Sequence, residues 1–330
     1  MTSGDGRRRW RSALAMVGAV GILLGGIAAS VLYSARVELS KGTGSMKSGE
    51  TVIALAAGEA PRPLPEGYQL TLNEKSSARI SLTGKNAVDI AEKSAVTLSK
   101  FRVSREQGTV VLGMDLAKGT IKPSILEAAK RPRRERDEES LTYDFQTTIG
   151  TGVLTGTSFV GEIVRESDTK YTVDAKAGKP VLQDGDVLIQ LASGVTVDAG
   201  PPMTVEASAS NSGPVLVAYL GAVVFVLQPG QKVQIDILDG RVRLTNLSDQ
   251  PLYAASWDGS DIVDIGPGGS HEFSVIEDDV DRERGLSHMD DLAGDIGEQF
   301  PGAFPPPPGL EGGYTGQFME IPRQLISPNQ

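Results

Sequence analysis

The chain has 330 residues, a formal net charge of -10 at pH 7 and no cysteine. Without cysteine it cannot form disulfide bonds, use thiol catalysis or build the usual cysteine-containing zinc sites. The negative charge argues against a general nucleic-acid-binding protein, because phosphate neutralisation requires a clustered basic surface. Its 39 glycines and 19 prolines, together with frequent valine, isoleucine and threonine, indicate short strands joined by tight turns.

The first predicted element is a membrane anchor at residues 13–35. Residues 12–35 carry no charge, and at a rise of ~1.5 Å per residue a helix of this length crosses a ~30 Å hydrocarbon core. Residues 1–12 form a predicted cytoplasmic arm, because its four arginines place it inside by the positive-inside rule. A cleaved signal peptide is the alternative, since small residues at 28–30 could serve a peptidase.

Three small residues follow one another at four-residue spacing in the predicted anchor. Gly21, Gly25 and Ala29 would line one face of the helix, which is the small-xxx-small pattern that allows two membrane helices to approach closely. The pattern predicts a homodimer formed through this face. A glycine-rich anchor without dimerisation is the simpler interpretation.

The rest of the chain is predicted to be an all-β ectodomain, either a β-sandwich or an irregular β-solenoid. Residues 36–50 lack periodicity and predict a flexible linker, whereas alternating apolar and polar residues predict strands from residue 51 to about residue 278. Glycine-containing turns such as Asp184-Gly185 and Asp239-Gly240 separate these strands. The alternation is clearest in six segments: 78–82, 110–116, 171–175, 187–191, 233–237 and 273–275.

Two C-terminal regions differ from the strand-forming part. Residues 279–300 form an acidic segment in which apolar residues recur at helical spacing from Leu286 to Phe300, which predicts a short helix docked on the β domain. Ser287 and Asp290 suggest its N-terminal cap. Residues 301–330 are rich in proline and glycine, which predicts a disordered tail that could act as a peptide ligand.

Residues 143–159 carry a motif that resembles the signature of the FecR domain family. In this family a Phe-x-x-Thr strand leads to a Gly-Thr-x-Phe strand, and the sequence here has the same order and spacing. Flanking strand patterns extend the resemblance over residues 51–200, and residues 201–278 form a second β-rich region. The residues assigned to the motif are Phe145, Thr147, Gly156, Thr157 and Phe159, and Thr148 stands at the Phe-x-x-Thr spacing.

The resemblance implies an extracytoplasmic β domain in which these motif residues are structural. Gly156 and Thr157 would allow close strand packing, and Phe159 would fill the core. The best-known family members relay a signal through one membrane helix to a cytoplasmic domain that controls a sigma factor. Only about a dozen residues precede the predicted anchor here, so we expect no such domain, which requires ~50 residues.

No arrangement of residues in the sequence indicates catalysis, a metal site or a cofactor. The two histidines, His271 and His288, lack a nucleophile motif or a helical metal pair nearby. The sequence therefore predicts a non-enzymatic, single-pass protein of the bacterial inner membrane, with most of the chain in the periplasm. We expect it to bind or scaffold an envelope protein or glycan. The alternative is a signal transducer that passes the state of the envelope to a separate cytoplasmic regulator.

Overall fold

The computed structural model describes residues 34–104, 106–128, 140–191, 194–276 and 282–304. Strands dominate these residues, as the sequence predicts. The strands up to residue 165 are β1 (Arg36–Lys41), β2 (Thr43–Ser48), β3 (Thr51–Ala56), β4 (Arg62–Pro63), β5 (Gln69–Leu72), β6 (Ser77–Ser81), β7 (Ala87–Ile90), β8 (Ala95–Ser104), β9 (Thr109–Ile125), β10 (Thr142–Ile149), β11 (Gly152–Gly156) and β12 (Phe159–Arg165).

The later strands continue the same pattern, and one α-helix follows them. The helix, α1 (Arg282–Gln299), leads into a short 3-10 helix, Pro301–Ala303. The strands after residue 165 are β13 (Lys170–Gly178), β14 (Val181–Asp184), β15 (Val187–Gln190), β16 (Gly194–Asp198), β17 (Met203–Ala207), β18 (Val215–Tyr219), β19 (Val223–Leu227), β20 (Lys232–Leu238), β21 (Arg241–Asn246), β22 (Leu252–Ser256), β23 (Ile262–Ile265) and β24 (Ser270–Ser274).

The strands form two sheets that enclose a common core. Sheet A has the order β4-β1-β6-β7-β9-β12-β13-β16-β17-β20-β21-β24. Sheet B has the order β3-β2-β5-β8-β9-β10-β11-β14-β15-β18-β19-β22-β23. From β10 onward the chain places two strands in sheet B, then two in sheet A, and so advances steadily along a two-layer stack.

Strand β9 belongs to both sheets and joins them. Its first half pairs with β8 and β10 in sheet B, and its second half pairs with β7 and β12 in sheet A. Gly119 lies between the two halves with φ +87°, and a Cβ atom there would lie 2.4 Å from the Ser94 Oγ atom. Only glycine fits both the backbone conformation and the close contact, so it permits the strand to cross from one sheet to the other.

The core between the sheets follows the two-residue period of the strands. In β10, for example, alternate residues are buried and exposed along the first six positions. The core includes the large aromatic side chains of Tyr143, Phe145, Phe159 and Tyr171, all of which are fully buried. The same apolar cluster extends from Ala35 to Phe273, so residues 51–200 and 201–278 share one core. The paired strands β16 and β17 also cross residue 200 within sheet A.

Helix α1 packs on the outer face of sheet B. Strand β19 is therefore buried at all five positions, because one side faces the core and the other faces the helix. The apolar residues that form this second cluster are Leu188, Ala218, Val224, Val226, Ala255, Trp257, Met289, Leu292, Ile296 and Ala303. The predicted docking of the helix on the β domain is confirmed.

Some expectations about element boundaries are wrong. The predicted linker at 36–50 forms β1 and β2, because Val37, Leu39 and Met46 alternate with polar residues and enter the core. Ala35, predicted as the last residue of the anchor, is fully buried in the same core. Ser287 does not cap the helix, because α1 begins at Arg282 and Ser287 therefore lies more than one turn inside it.

Several other predictions fall on parts of the chain outside the described residues. These are the cytoplasmic arm, the anchor up to residue 33 with Gly21, Gly25 and Ala29, and the tail from residue 305. The start of the tail was predicted wrongly at residue 301, because the 3-10 helix Pro301–Ala303 is ordered by burial of Ala303 in the apolar cluster under α1. Among the residues that the structure describes, no helical segment has the length and apolar character needed to cross a membrane.

The docking of α1 predicts a large difference between its buried and exposed side chains. Ile296→Ala should lower the free energy of unfolding by about 2 kcal/mol or more, because it leaves a cavity between the helix and sheet B. Asp295→Ala, at an exposed neighbouring position, should change it by less than about 0.5 kcal/mol. Denaturant unfolding measures both values, and equal effects would show that the helix does not pack as described.

Asp290 on α1 predicts a pH dependence of stability. Burial raises the pKa of its carboxyl group, although Gln190 Nε2 donates a 3.1 Å hydrogen bond to it that acts in the opposite direction. The folded state therefore binds the proton more tightly, and stability decreases as the pH rises through the raised pKa. Asp290→Asn should stabilise the protein at pH 7, by less than about 1 kcal/mol after solvent screening.

Unfolding measured between pH 3 and pH 7 tests this dependence. The gain from Asp290→Asn should disappear toward pH 3, where the wild-type carboxyl group is protonated. Asp291→Asn, at the exposed neighbouring position, controls for the loss of one negative charge. A stabilisation that is the same at both ends of the pH range would be inconsistent with the burial of this charge.

Candidate functional site

The outer face of sheet A carries a continuous polar surface across six neighbouring strands: β13, β16, β17, β20, β21 and β24. We call this surface the sheet A face. Its central row contains residues that lie directly opposite one another in successive strands: Lys170, Asp198, Thr204, Gln234, Thr245 and Ser270. Because adjacent strands lie ~4.8 Å apart, this row extends over about 24 Å.

A second row runs parallel to the first on the same face. It consists of Thr172, Thr196, Glu206 and Lys232, which are opposite one another in β13, β16, β17 and β20. The hydroxyl groups of Thr172 and Thr196 are 2.9 Å apart, and Lys232 Nζ lies 3.6 Å from Glu206 Oε2. These pairs arrange the side chains of the face before any partner binds.

A cluster of ion pairs lies on β21 and β24, at one end of the sheet A face. Glu272 accepts hydrogen bonds from Arg241 at 2.6 Å and from Arg243 at 2.5 Å. The hydrogen bond from Arg243 holds the pKa of Glu272 below its usual value, and the same contact raises the pKa of Arg243. Glu272 and Arg243 therefore remain charged at neutral pH, and the face presents both signs of charge.

The two sheets differ in what covers their outer faces. Helix α1 lies over β15, β18, β19 and β22 of sheet B, whereas within the described residues no helix lies over the corresponding strands of sheet A. The outward positions beneath the helix are apolar and those of sheet A are polar or charged. The difference in composition explains why one face binds its own helix and the other faces solvent.

A buried tyrosine connects β13, the first strand of the sheet A face, to sheet B. The Tyr171 hydroxyl group donates a 2.6 Å hydrogen bond to Asp184 Oδ2, which also accepts one of 2.8 Å from Thr151 Oγ1. Burial raises the pKa of Tyr171 far above its ordinary value, and the hydrogen bond to Asp184 acts in the same direction. The phenol therefore stays protonated and fixes β13 to two turns of sheet B.

A second buried tyrosine makes the equivalent connection near the N-terminal end of the stack. The Tyr143 hydroxyl oxygen lies 2.6 Å from Thr83 Oγ1, and the Thr83 N–H group donates a 3.1 Å hydrogen bond to it. Tyr143 is on β10 in sheet B, and Thr83 lies in the turn between β6 and β7 in sheet A. Each tyrosine thus satisfies its polar tip at the opposite layer while its ring fills the core.

Four of the five predicted family-motif residues lie in or against the core beneath these surfaces. The rings of Phe145 and Phe159 stack with centroids 5.9 Å apart, and Thr147 is buried beside them. Gly156 lies opposite Phe145, whose ring a Cβ atom at Gly156 would approach to 3.1 Å. Thr157 is exposed where the chain crosses from sheet B to sheet A, so it does not pack as the compact core partner that the motif suggested.

The sequence alone does not reveal the sheet A face. Its residues are the polar members of the same alternating patterns that predict the strands, for example Thr172 between Tyr171 and Val173. The alternating pattern therefore indicates, within each strand, which residues face outward. The register between strands, which aligns these residues into rows, depends on contacts between distant parts of the chain and cannot be obtained from one strand at a time.

Among the described residues, no group of three or more acidic or histidine side chains is arranged to hold a metal ion. His271 Nε2 lies 2.9 Å from Asp261 Oδ2 at the end of the stack, and His288 Nε2 lies 2.5 Å from the Trp257 carbonyl oxygen beneath α1. Both histidines thus contact neighbouring structural elements. The arrangement on the sheet A face offers hydrogen bonds and ion pairs to a polar partner.

No protein-family model matches the chain, and no curated protein matches it. Two crystal structures of a candidate anti-sigma factor from Parabacteroides distasonis, at 1.65 Å and 2.50 Å resolution, align with it at 11% identity and a TM-score of 0.30. Each alignment covers 40% of this chain and 55% of the other, so the chain spans about half the length of those structures. A similarity this low does not establish a shared fold or function.

The contact between Tyr171 and Gly152 predicts a strong effect of a single methyl group. A Cβ atom at Gly152 would lie 2.3 Å from the Tyr171 hydroxyl oxygen, and the ring cannot move away within the core. Gly152→Ala should therefore lower the free energy of unfolding by about 1 to 3 kcal/mol. Gly213→Ala is the matched control, because no atom lies within 4 Å of its Cβ position.

Thermal or denaturant unfolding of the two variants provides the comparison. Gly213→Ala should be neutral or slightly stabilising, since alanine restricts the unfolded chain. If Gly152→Ala were equally well tolerated, the close packing of Tyr171 against this turn would be incorrect.

Proposed function

We propose that this protein is a membrane-anchored, extracytoplasmic binding or scaffold protein of the bacterial envelope, without catalytic activity, built on a FecR-like β domain. The sequence supports the anchor: if Ser34 and Ala35 belong to the β fold, residues 12–33 still provide 22 uncharged residues. In a helix these extend over about 33 Å, enough to cross a bilayer. The arginines that precede them support a cytoplasmic N-terminus.

The observation that carries the proposal is the sheet A face. A surface of six strands, with its side chains held by ion pairs and hydroxyl contacts, provides polar groups at fixed positions. Such a surface loses little conformational freedom on binding, which favours recognition of another molecule. Its mixed charges suit a protein or glycan partner that offers complementary polar groups. Basic side chains of this face such as Lys232 and Arg243 are paired with carboxylates, which disfavours nucleic acid.

One observation favours the alternative proposal, signal transduction across the membrane. Ala35 is fully buried, and its carbonyl oxygen accepts a 2.8 Å hydrogen bond from the Leu64 N–H group. The chain therefore enters the β core within two residues of the uncharged segment 12–33, which leaves no room for a flexible spacer between them. If the protein is a signal transducer, a rearrangement at this end of the two-sheet stack would be passed directly to the membrane segment and on to a cytoplasmic regulator.

Site-specific photo-crosslinking in intact cells tests the proposed binding surface. A photoreactive amino acid at Thr204 or Thr245, on the sheet A face, should form adducts with an envelope component. The same amino acid at Gln146, on the outer face of sheet B, should not. Arg243→Glu should reduce the adducts at Thr245, because it reverses a charge on the face. Equal adducts at all three positions, or none on the sheet A face, would contradict the proposal.

A further inference from the structure

The edges of the two sheets differ in how they are protected from pairing with another strand. An exposed edge presents unpaired N–H and C=O groups, and proteins usually block it with charges, proline, short strands or covering segments. Sheet A ends at β4 and β24, and sheet B ends at β3 and β23. Three of these edges carry such a device in the described part of the chain, and β3 does not.

The two edges at the C-terminal end of the stack are blocked by side chains. On β24, Glu272 forms ion pairs with two arginines. On β23, Gln299 Nε2 donates a 3.1 Å hydrogen bond to the Ile262 carbonyl oxygen, and Asn246 Nδ2 donates one of 2.9 Å to the Ile265 carbonyl oxygen. The exposed Asp264 adds a charge to the same strand.

The sheet A edge at the N-terminal end is blocked in a different way. Strand β4 has only two residues, and one of them is Pro63, which has no N–H group to donate. The part of β1 that extends beyond β4 exposes Glu38 and Lys41. Charges and proline therefore disfavour the addition of another strand to this edge.

Strand β3 has the sequence Thr-Val-Ile-Ala-Leu-Ala and carries no charge. Val52 is 61% exposed, and Ala54 is also exposed. Within the described residues, β3 pairs only with β2. An uncharged strand of this composition, free along one side, is well suited to pair with another strand.

The register of the β2–β3 hairpin identifies which backbone groups face outward. Ser48 lies opposite Thr51 across a two-residue turn in which Gly49 has φ +56°. This closing pair is hydrogen-bonded, so the pairs alternate along the hairpin and the N–H and C=O groups of Val52 and Ala54 point away from β2. The next outward carbonyl, on Ala56, already accepts a hydrogen bond from the Glu59 N–H group.

We propose that β3 pairs with β3 of a second copy of this chain, antiparallel and around a two-fold axis at Ile53. Val52 of each copy would then lie opposite Ala54 of the other and exchange backbone hydrogen bonds with it, roughly four in total. The strand is compatible with itself because no like charges are brought together between residues 51 and 56. Sheet B would continue from one copy into the next.

The two-fold symmetry also agrees with anchoring in a membrane. When a two-fold axis is parallel to the membrane normal, equivalent atoms of both copies lie at the same height, and in that orientation both N-terminal segments could enter the same bilayer. A short strand pair is weak between molecules in solution, but confinement to one membrane raises the effective concentration of the two copies. The inference uses the proposed anchor only in this respect, and it is independent of what binds to the sheet A face.

Disulfide crosslinking of the full chain in membranes tests the strand pairing. The natural chain has no cysteine, so single substitutions give unambiguous products. Ile53→Cys would place two cysteines opposite each other in a non-hydrogen-bonded pair, where side chains approach most closely. Oxidation should yield a covalent dimer on a non-reducing gel. Because Ile53 is half-buried, resistance to limited proteolysis must show that the Ile53→Cys variant folds. If it does not fold, a double variant with Val52→Cys and Ala54→Cys is used in its place, since these two exposed positions would lie opposite each other in the two copies.

A blocking substitution and a matched control make the result specific. Val52→Lys should reduce the dimer by about fivefold or more, because an edge lysine opposes strand pairing. Ile237→Lys makes the same kind of change at another exposed position, 67% exposed on β20, and should leave the dimer unchanged. Folded protein without a crosslink, or a crosslink that Val52→Lys does not reduce, would overturn the inference.

The same experiment separates strand pairing from association through the anchor. Gly25→Leu alters the predicted helix face and should leave the Ile53→Cys crosslink in place. A crosslink lost with Gly25→Leu and retained with Val52→Lys would show that the anchor brings the copies together, and would also overturn the inference. The crosslink can be measured whether or not the sheet A face binds a partner, so failure of one proposal is distinguishable from failure of the other.

Discussion

The packing of two β-sheets through one apolar core is the constraint on which the other features of this protein depend. Strand β9 passes from one sheet to the other at Gly119, and two buried tyrosines connect the layers through hydrogen bonds at their polar tips. These contacts fix the position of one sheet relative to the other. They also determine which side chains point outward, and therefore the composition of each exposed surface.

One outer face is covered by a helix and the other is exposed to solvent, because their compositions differ. Helix α1 covers the outward apolar residues of sheet B. Without the helix, these residues would form a large apolar patch in contact with water. Outward polar residues on sheet A form ion pairs and hydroxyl contacts with each other and remain accessible. The helix thus completes the fold on one side, and the opposite side retains the groups that a partner can recognise.

The sequence predicts much of the fold because its strongest signals are local. The alternation around Tyr171 and Val173 corresponds to strand β13, and the predicted turn glycines Gly185 and Gly240 have positive φ angles. The run from 215 to 227, too short for a membrane span, forms β18 and β19. Residues 36–50 were misinterpreted because serine, lysine and glycine obscured the alternation of Val37 and Leu39.

The candidate surfaces were harder to predict because they depend on long-range register. The row from Lys170 to Ser270 brings together residues separated by as many as one hundred positions. The open edge at β3 is likewise recognised only when every other edge can be compared with it. The motif residues Phe145 and Phe159 were predicted as structural, and their rings stack in the core.

The most direct test of the proposed function is the side of the membrane on which the sheet A face lies. A cysteine introduced at Thr204 in the otherwise cysteine-free chain can be labelled with a membrane-impermeant maleimide in intact cells, and a cysteine at Ser3 provides the comparison. The account predicts labelling at position 204 in intact cells, and labelling at position 3 only after the inner membrane is permeabilised. Protection of position 204 until permeabilisation would contradict it.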